Sequence, residues 1–195
     1  MLMATPKITA RLARLMPLKI ARRFARHEDG AAAVEFALVA VPFLALLFAI
    51  LETALVFFAG QTLETAAADA SRLIMTGQAQ TAGFSQAAFK QAVCDRLAGA
   101  MFDCTNGVYV DVKNYSSFTS ISSASPVTNG QFDSSKMAYT AAGPGCIQVV
   151  TLYYQWPIYV SLLGNSLANL NGGYRLLVAT AVFRNEPYGG SGACT

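Results

Sequence analysis

The sequence predicts an α+β protein: a long N-terminal transmembrane helix extended into a second helical segment, then a helix packed on a small, mainly antiparallel β-sheet. Only 13% of the 195 residues are charged, against about 25% in soluble domains. One apolar run covers residues 31–59, and β-branched and aromatic residues alternate with other residues farther along the chain. We therefore expect a basic cytoplasmic leader at 1–30, a transmembrane helix at 31–59 and an extracytoplasmic domain at 60–195.

The apolar run is long enough to cross a bilayer. It contains 29 residues, whereas a spanning helix needs about 20. In lipid a helix satisfies its own backbone hydrogen bonds, so the run should be helical despite Pro42. That proline removes the bond to the Leu38 carbonyl and predicts a kink. A cleaved signal peptide, with its shorter apolar core, and a buried soluble helix fit less well.

The distribution of charge predicts the orientation of this helix. Seven of the 14 Lys and Arg residues precede residue 27. Basic residues flanking a span remain on the cytoplasmic side. The N-terminus should therefore be cytoplasmic and the C-terminal domain should lie across the membrane.

The junction between leader and helix contains the residues of most chemical interest. Gly30 ends the leader, Ala31 begins the apolar run, and Glu35 follows four residues later. A carboxylate costs about 2.5–3.5 kcal/mol at the centre of a spanning helix and less near its end. Such a group is usually paired or functional; otherwise it simply extends to the headgroups or is protonated within the helix. The residues alone leave both possibilities open.

Two helical segments should follow the span. The alanine-rich stretch after Gln61 favours a continued helix that stops at Gly77. A second helix is predicted at residues 86–101, with Ser85 as its N-cap. Its apolar side chains recur every four residues and should pack into the core: Phe89, Val93, Leu97 and Met101.

Three strands complete the domain. Alternation predicts strands at residues 108–113, 146–155 and 174–184. Residues 114–145 are rich in Ser and Thr and should form a long loop, with room for a hairpin, that either contacts a partner or is simply solvated. A turn is expected at 171–173. A rival reading makes residues 147–163 a second span, but its 17 residues include Gln148 and Pro157. A strand followed by a short helix or loop fits better.

Four cysteines lie beyond the predicted span. An even number in an oxidising compartment suggests two disulfides, with three possible pairings. We favour one bond that closes a short loop and one that holds the C-terminal tail. Metal ligation is the competing use of cysteine, but the spacings contain no close pair. The favoured bonds join Cys94 to Cys104 and Cys146 to Cys194.

The residue inventory gives little support for catalysis. The only histidine, His27, lies in the leader, so the predicted domain has none for a catalytic triad or a zinc site. The sequence contains no nucleotide-binding glycine loop, and we expect no cofactor, no metal and no nucleic-acid partner. Basic residues beside a span are explained by orientation and anionic lipid.

Two sequence strings carry a resemblance to a known family. Residues 30–42 read GAAAVEFALVAVP, and residues 179–187 read ATAVFRNEP. The first resembles the N-terminal signature of TadE-like proteins, and the second is similar to their closing strand and R-x-EP ending. Gly30 followed by Glu35 also resembles the processing site of type IV prepilins.

The resemblance implies a structural and assembly protein of a tight-adherence (Tad/Flp) pilus, not an enzyme. It implies cleavage after Gly30 by a prepilin peptidase and pairing of Glu35 with the new Ala31 amine of a neighbouring subunit. The implied partners are other pilins and the inner-membrane assembly platform, and the implied location is the bacterial inner membrane, with possible incorporation into a pilus. Phe36 stands where major Flp pilins have tyrosine, and the long outer domain also favours a minor pilin (pseudopilin).

Two other functions remain open from the sequence. The chain could be an uncleaved, membrane-anchored periplasmic binding or sensor module, with Glu35 incidental. It could also be a membrane-bound hydrolase, although no catalytic spacing supports one. Cleavage after Gly30 separates the pilin from the permanent anchor.

Overall fold

The protein is described by a computed structural model that covers residues 30–97, 101–122, 124–160, 167–189 and 194. The predicted basic leader, residues 1–29, lies outside this range. Within it, a long helix is followed by two short helices and a small antiparallel sheet, which confirms the α+β class. The chain divides into two compact units, residues 1–48 and 49–195.

The long helix, α1, covers Ala31–Met75. It begins at the predicted residue and continues without a break through Pro42 and through the alanine-rich extension. Gly77 follows its end with a φ of 81°, a left-handed conformation suited to a helix stop. From residue 56 onward one stripe of α1 is buried at helical spacing: Val56, Ala59, Leu63, Ala66, Ala67, Ala70, Ser71 and Ile74.

Two short helices follow, α2 at Gln78–Thr81 and α3 at Gln86–Cys94. Ser85 caps α3 as predicted, since its hydroxyl accepts the Ala88 N–H at 3.2 Å. The prediction that this helix extends to residue 101 was wrong. After Cys94 the Arg96 and Leu97 N–H groups bond to carbonyls three residues back, and the chain turns so that Cys104 can reach Cys94.

The predicted apolar stripe of this region belongs to the core although the helix is shorter. Phe89 and Val93 are fully buried on α3, and Leu97 is buried in the turn that follows. Met101 packs against the same core while partly exposed. Burial therefore follows the predicted spacing beyond the end of the helix.

The main sheet contains three antiparallel strands in the order β1-β4-β5. These are β1 at Val108–Tyr115, β4 at Ile147–Pro157 and β5 at Tyr174–Arg184. All three strands were predicted, and β5 has the predicted bounds. Because residues 147–157 form a central strand, the rival reading of a second spanning helix is wrong for the residues that the structure describes; residues 161–163 lie outside them.

The loop between β1 and β4 contains some ordered structure. A 3₁₀ turn at Phe118–Ser120 is followed by a hairpin of β2, Val127–Thr128, and β3, Gln131–Phe132. Asn129 and Gly130 form its turn with φ of 52° and 74°, which is the geometry of a tight hairpin. Tyr139 then bridges to Val112 of β1.

The two faces of the sheet bury different groups. One face packs against the second part of α1 and against α3, with Val110, Leu152 and Leu177 among its buried residues. The other face carries a smaller cluster around Tyr153 and Leu176, covered partly by the β2–β3 hairpin. The second unit thus has a helix layer over one sheet face.

Candidate functional site

The first part of α1 presents an exposed apolar surface. Its most apolar 18-residue stretch has a mean hydropathy of 2.6, and none of that stretch is buried. Phe36 is 74% exposed and Phe43 is 61% exposed. Among the described residues, α1 is the one helix long and apolar enough to cross a membrane. This surface needs lipid or other helices to cover it.

The N-terminal end of α1 carries the predicted processing residues. Gly30 immediately precedes the helix and is half-buried, and Ala31 is the first helical residue. Glu35 lies on the second turn and is exposed. No described residue forms a hydrogen bond or an ion pair with Glu35. Its carboxylate is therefore accessible to a partner outside the chain.

Pro42 lies inside α1 among exposed apolar residues. It has no N–H to donate to the Leu38 carbonyl. The kink expected there stays a prediction.

Glu52 is a site residue that sequence reasoning missed. It is only 5% exposed although it lies on the apolar helix, and its Oε1 accepts the backbone N–H of Tyr159 at 3.4 Å. Tyr159 follows the end of β4 by two residues. The signal in the sequence was an acid inside an apolar run, which predicts a partner but not its identity.

The closing segment after β5 connects the other end of the same unit. The Glu186 N–H donates to the carbonyl of Met75, the last residue of α1, at 2.9 Å. Asn185 is 3% exposed, and its Nδ2 donates to the carbonyls of Ala142 and Gly143. The R-x-EP ending is therefore a structural connection between the end of α1 and the sheet.

Two disulfides stabilise this unit, and they are the two bonds favoured from the sequence. Cys94 and Cys104 join at a Cα separation of 5.8 Å, and Cys146 and Cys194 at 5.4 Å. The first bond fixes the turn after α3. The second attaches the C-terminal tail to the start of β4.

The described residues offer little that resembles an active site. They contain no group of three or more His, Cys, Asp or Glu side chains placed to hold a metal ion. A cavity of about 340 Å³ lies between α3 and β1, bordered by Gln86, Lys90 and Tyr109. The Lys90 Nζ donates to the Thr105 carbonyl at 2.8 Å, and no carboxylate lines the cavity. The cavity lacks the acid–base pair that hydrolysis would use.

Fold and site together define a small, disulfide-bonded α+β protein with one N-terminal helix that fits a membrane anchor. Residues 30–72 match the family model of TadE-like proteins, which confirms the TadE-like resemblance predicted from residues 30–42. The string at 179–187 lies outside the match, and the likeness to a prepilin processing site stays a prediction. The match suggests a protein associated with tight-adherence pili. TadE-like proteins are themselves a structural rather than an enzymatic family. No curated protein and no solved structure matches the chain.

The matched segment includes the residues singled out on α1. Gly30, Glu35, Pro42 and Glu52 all lie within it, and it ends at Arg72, before the last turn of the helix. The sheet and both disulfides lie outside the match. The family likeness therefore concerns the helix, and the rest of the chain is described by its own structure.

Proposed function

We propose that this chain is a minor pilin (pseudopilin) of a tight-adherence pilus system, processed after Gly30 and assembled through its transmembrane helix. The TadE-like match over residues 30–72 carries the proposal, because it includes both Gly30 and Glu35. The exposed apolar surface of α1 supports it, since a helix that packs among other pilins needs such a surface.

Processing would occur at the peptide bond between Gly30 and Ala31. A membrane-embedded prepilin peptidase hydrolyses this bond, releasing the basic leader and leaving a new amino group on Ala31. The position of Gly30 directly before α1 supports this, because the cut then removes the charged leader and leaves a helix that begins with the apolar run at residues 31–59.

Assembly would use the charge that cleavage creates. The Glu35 carboxylate of one subunit pairs with the Ala31 amine of its neighbour. Each charge alone is costly in low dielectric, whereas the pair is much less so, and the pair sets the helix register. The exposure of Glu35 and its lack of a partner among the described residues support this role.

The proposed location is the bacterial inner membrane, with the N-terminus cytoplasmic and the C-terminal domain periplasmic. The charge distribution of the leader supports the orientation. Two disulfides suit an oxidising periplasm. The domain would there present its surface to other pilins or to the assembly platform.

Complementation of a deletion strain tests the role in assembly. We expect loss of the chain to reduce surface pili, measured by shearing and immunoblotting of the major pilin. The natural sequence and Glu64→Ala should restore pili, while Gly30→Val and Glu35→Ala should not. Glu64 is the matched control, since it is an exposed glutamate on the same helix beyond the apolar run.

Two results would contradict the pilin assignment. Normal piliation in the deletion strain would remove any role in assembly. Full rescue by both Gly30→Val and Glu35→Ala would favour the alternative, an uncleaved membrane-anchored periplasmic binding or sensor module.

A further inference from the structure

One end of the sheet is tied to α1 at Glu52. The Glu52 carboxylate accepts the Tyr159 N–H at 3.4 Å, and the Ile158 N–H donates to the Gly173 carbonyl at 2.9 Å. Both donors lie in the segment that leaves β4. The segment at residues 158–160 is therefore held beside the apolar helix at the level of Glu52.

The opposite end of the sheet is tied to the far end of the helix. The Glu186 N–H reaches the Met75 carbonyl just after β5 ends. From Glu52 to Met75 the helix rises about 35 Å, and the 11 residues of β5 extend over a similar length. The strands therefore run along the helix, with the 158–160 segment at the end nearer the apolar run.

The depth of Glu52 follows from helix geometry. Glu52 follows Ala31 by 21 residues in the sequence, and about 20 helical residues suffice to cross a bilayer's hydrocarbon core. A helix that crosses the bilayer from Ala31 therefore brings Glu52 to the outer boundary of the hydrocarbon. The 158–160 segment must lie at the same level.

The side chains at this level suit the bilayer interface. Tyr159 is 78% exposed, Val160 is partly exposed, and Ile158 is partly buried against the core. Phe57 and Phe58 on α1 are 71% and 56% exposed, and they follow Glu52 by less than about 10 Å along the helix axis. Tyrosine and tryptophan are enriched at membrane interfaces because their rings are amphipathic, while the exposed Phe57 and Phe58 rings add apolar surface at this level.

The charge pattern also favours lipid over water. No charged residue occurs between Lys136 and Arg175. The polar backbone of a loop cannot enter the hydrocarbon core unsatisfied, but it can remain hydrated among the headgroups. An uncharged segment with an amphipathic tyrosine fits that layer.

We propose that the segment at residues 158–160 forms a second membrane contact, lying in the outer interfacial layer with Tyr159 among the lipid headgroups. Glu52 is the positioning residue that holds this segment at that depth. The proposal rests on the membrane anchoring of α1, but not on cleavage after Gly30 or on pilus assembly.

Tryptophan fluorescence in vesicles containing brominated lipids tests the contact. Trp156 is the only tryptophan in the sequence, so Trp156→Phe gives a protein without tryptophan emission. The Trp156 Nε1 has no hydrogen-bond partner among the described residues, so the substitution removes no side-chain hydrogen bond there. Three single probes are then introduced: Tyr159→Trp, Phe43→Trp in the middle of the apolar run and Phe118→Trp. Phe118 is 59% exposed and lies just beyond the end of β1 that pairs with Ile147, at the far end of the sheet.

The full chain is reconstituted in phosphatidylcholine vesicles with bromine placed near the headgroup end or near the tail end of the acyl chain. We expect Tyr159→Trp to lose most of its emission with the shallow bromine and less with the deep one. Phe43→Trp should show the reverse order, and Phe118→Trp should lose little with either.

Two other quenching results would contradict the proposal, and they distinguish the loop contact from the anchoring of the helix. If Phe43→Trp is quenched while Tyr159→Trp behaves like Phe118→Trp, the loop contact is wrong and the anchor stands. If Phe43→Trp is not quenched, the helix is outside the bilayer and both claims fail.

Substitution of Glu52 tests its positioning role in the same assay. Glu52→Ala removes the acceptor of the Tyr159 N–H, so the preference of Tyr159→Trp for shallow bromine should decrease. Glu52→Gln retains an oxygen acceptor and should keep the preference for shallow bromine. Glu64→Ala should leave that preference unchanged. An unchanged quenching profile in Glu52→Ala would contradict the role of Glu52.

Discussion

Gly77 is required for two reasons at the end of α1. Its φ of 81° is a conformation that other residues adopt at a cost, and the Tyr188 ring lies where a side chain would begin. A Cβ at this position would lie 2.5 Å from the ring. Gly83 has a similar φ of 64°, but no atom lies within 4 Å of its Cβ position. A comparison of substitutions at Gly77 and Gly83 therefore distinguishes the cost of backbone strain from the cost of steric overlap.

We expect Gly77→Ala to destabilise the protein more than Gly83→Ala. Each substitution should cost about 1–2 kcal/mol for the left-handed backbone, and only Gly77→Ala must also displace Tyr188. The measurement is the unfolding midpoint of each detergent-solubilised variant. Equal decreases in the two variants would show that the Tyr188 contact contributes nothing.

The ionised Asp103 carboxylate should contribute to the stability of the fold in a way that depends on pH. Its Oδ1 accepts the Thr105 and Asn106 N–H groups at 3.0 and 3.1 Å, and the bonds from Asn106 and Thr105 hold the pKa of Asp103 below its usual 3.8. A lowered pKa means that the folded state favours the ionised form. Its stabilisation is therefore complete above the unfolded pKa and is lost as pH falls through the folded value.

The expected result is a lower unfolding midpoint for Asp103→Ala than for the natural sequence at neutral pH. The difference should shrink as pH falls below 3.8. Asp133→Ala should show the same pH dependence, because the pKa of Asp133 is likewise lowered, mainly by hydrogen bonds from Ser135. A difference for Asp103→Ala that stays constant through the acid range would contradict the account.

At the scale of elements, the two disulfides close loops of different length. Cys94–Cys104 has a sequence separation of 10 and Cys146–Cys194 one of 48. The bond that closes the longer loop removes more entropy from the unfolded chain, by about 1.4 kcal/mol in the chain-entropy model. Removal of the Cys146–Cys194 bond should therefore be the more destabilising change.

Paired Cys→Ala variants of each bond, compared in denaturant unfolding of the detergent-solubilised chain, test this order. Reduction of the natural protein gives the limit with both bonds removed. The opposite order would show that the turn after α3, and not unfolded-state entropy, determines what each bond contributes.

The elements differ in how far the sequence alone predicts them. The strand at Tyr174–Arg184 was predicted residue by residue because alternation and the Gly-rich turn before it agree. The helix after Ser85 was predicted too long, because its apolar spacing continues beyond its end at Cys94, with Leu97 buried and Met101 packed against the core. The β2–β3 hairpin had a readable signal, since Asn129-Gly130 favours a tight turn.

The candidate site was also predicted only in part, because sequence reasoning detects residues that lie close together in the chain. Gly30, Ala31 and Glu35 were identified because leader, helix start and acid are adjacent in sequence. The contact of Glu52 with Tyr159 joins residues 107 positions apart. Hydrophobic periodicity contains no information about such a pair, so only the fold could reveal it.

At the scale of the whole molecule, the central claim is that the chain is a processed pilin subunit and not a permanent anchor. A cut after Gly30 would remove seven of the 14 Lys and Arg residues and free the apolar helix at Ala31. A permanent anchor gains nothing from that loss, because the leader determines its orientation.

The most direct test is the intact mass and N-terminal sequence of membrane-extracted protein, produced with and without the cognate prepilin peptidase. We predict a new terminus at Ala31 that appears only with the peptidase and disappears in Gly30→Val. A terminus that stays at Met1 under both conditions would contradict the processing claim and leave the uncleaved anchor as the better description.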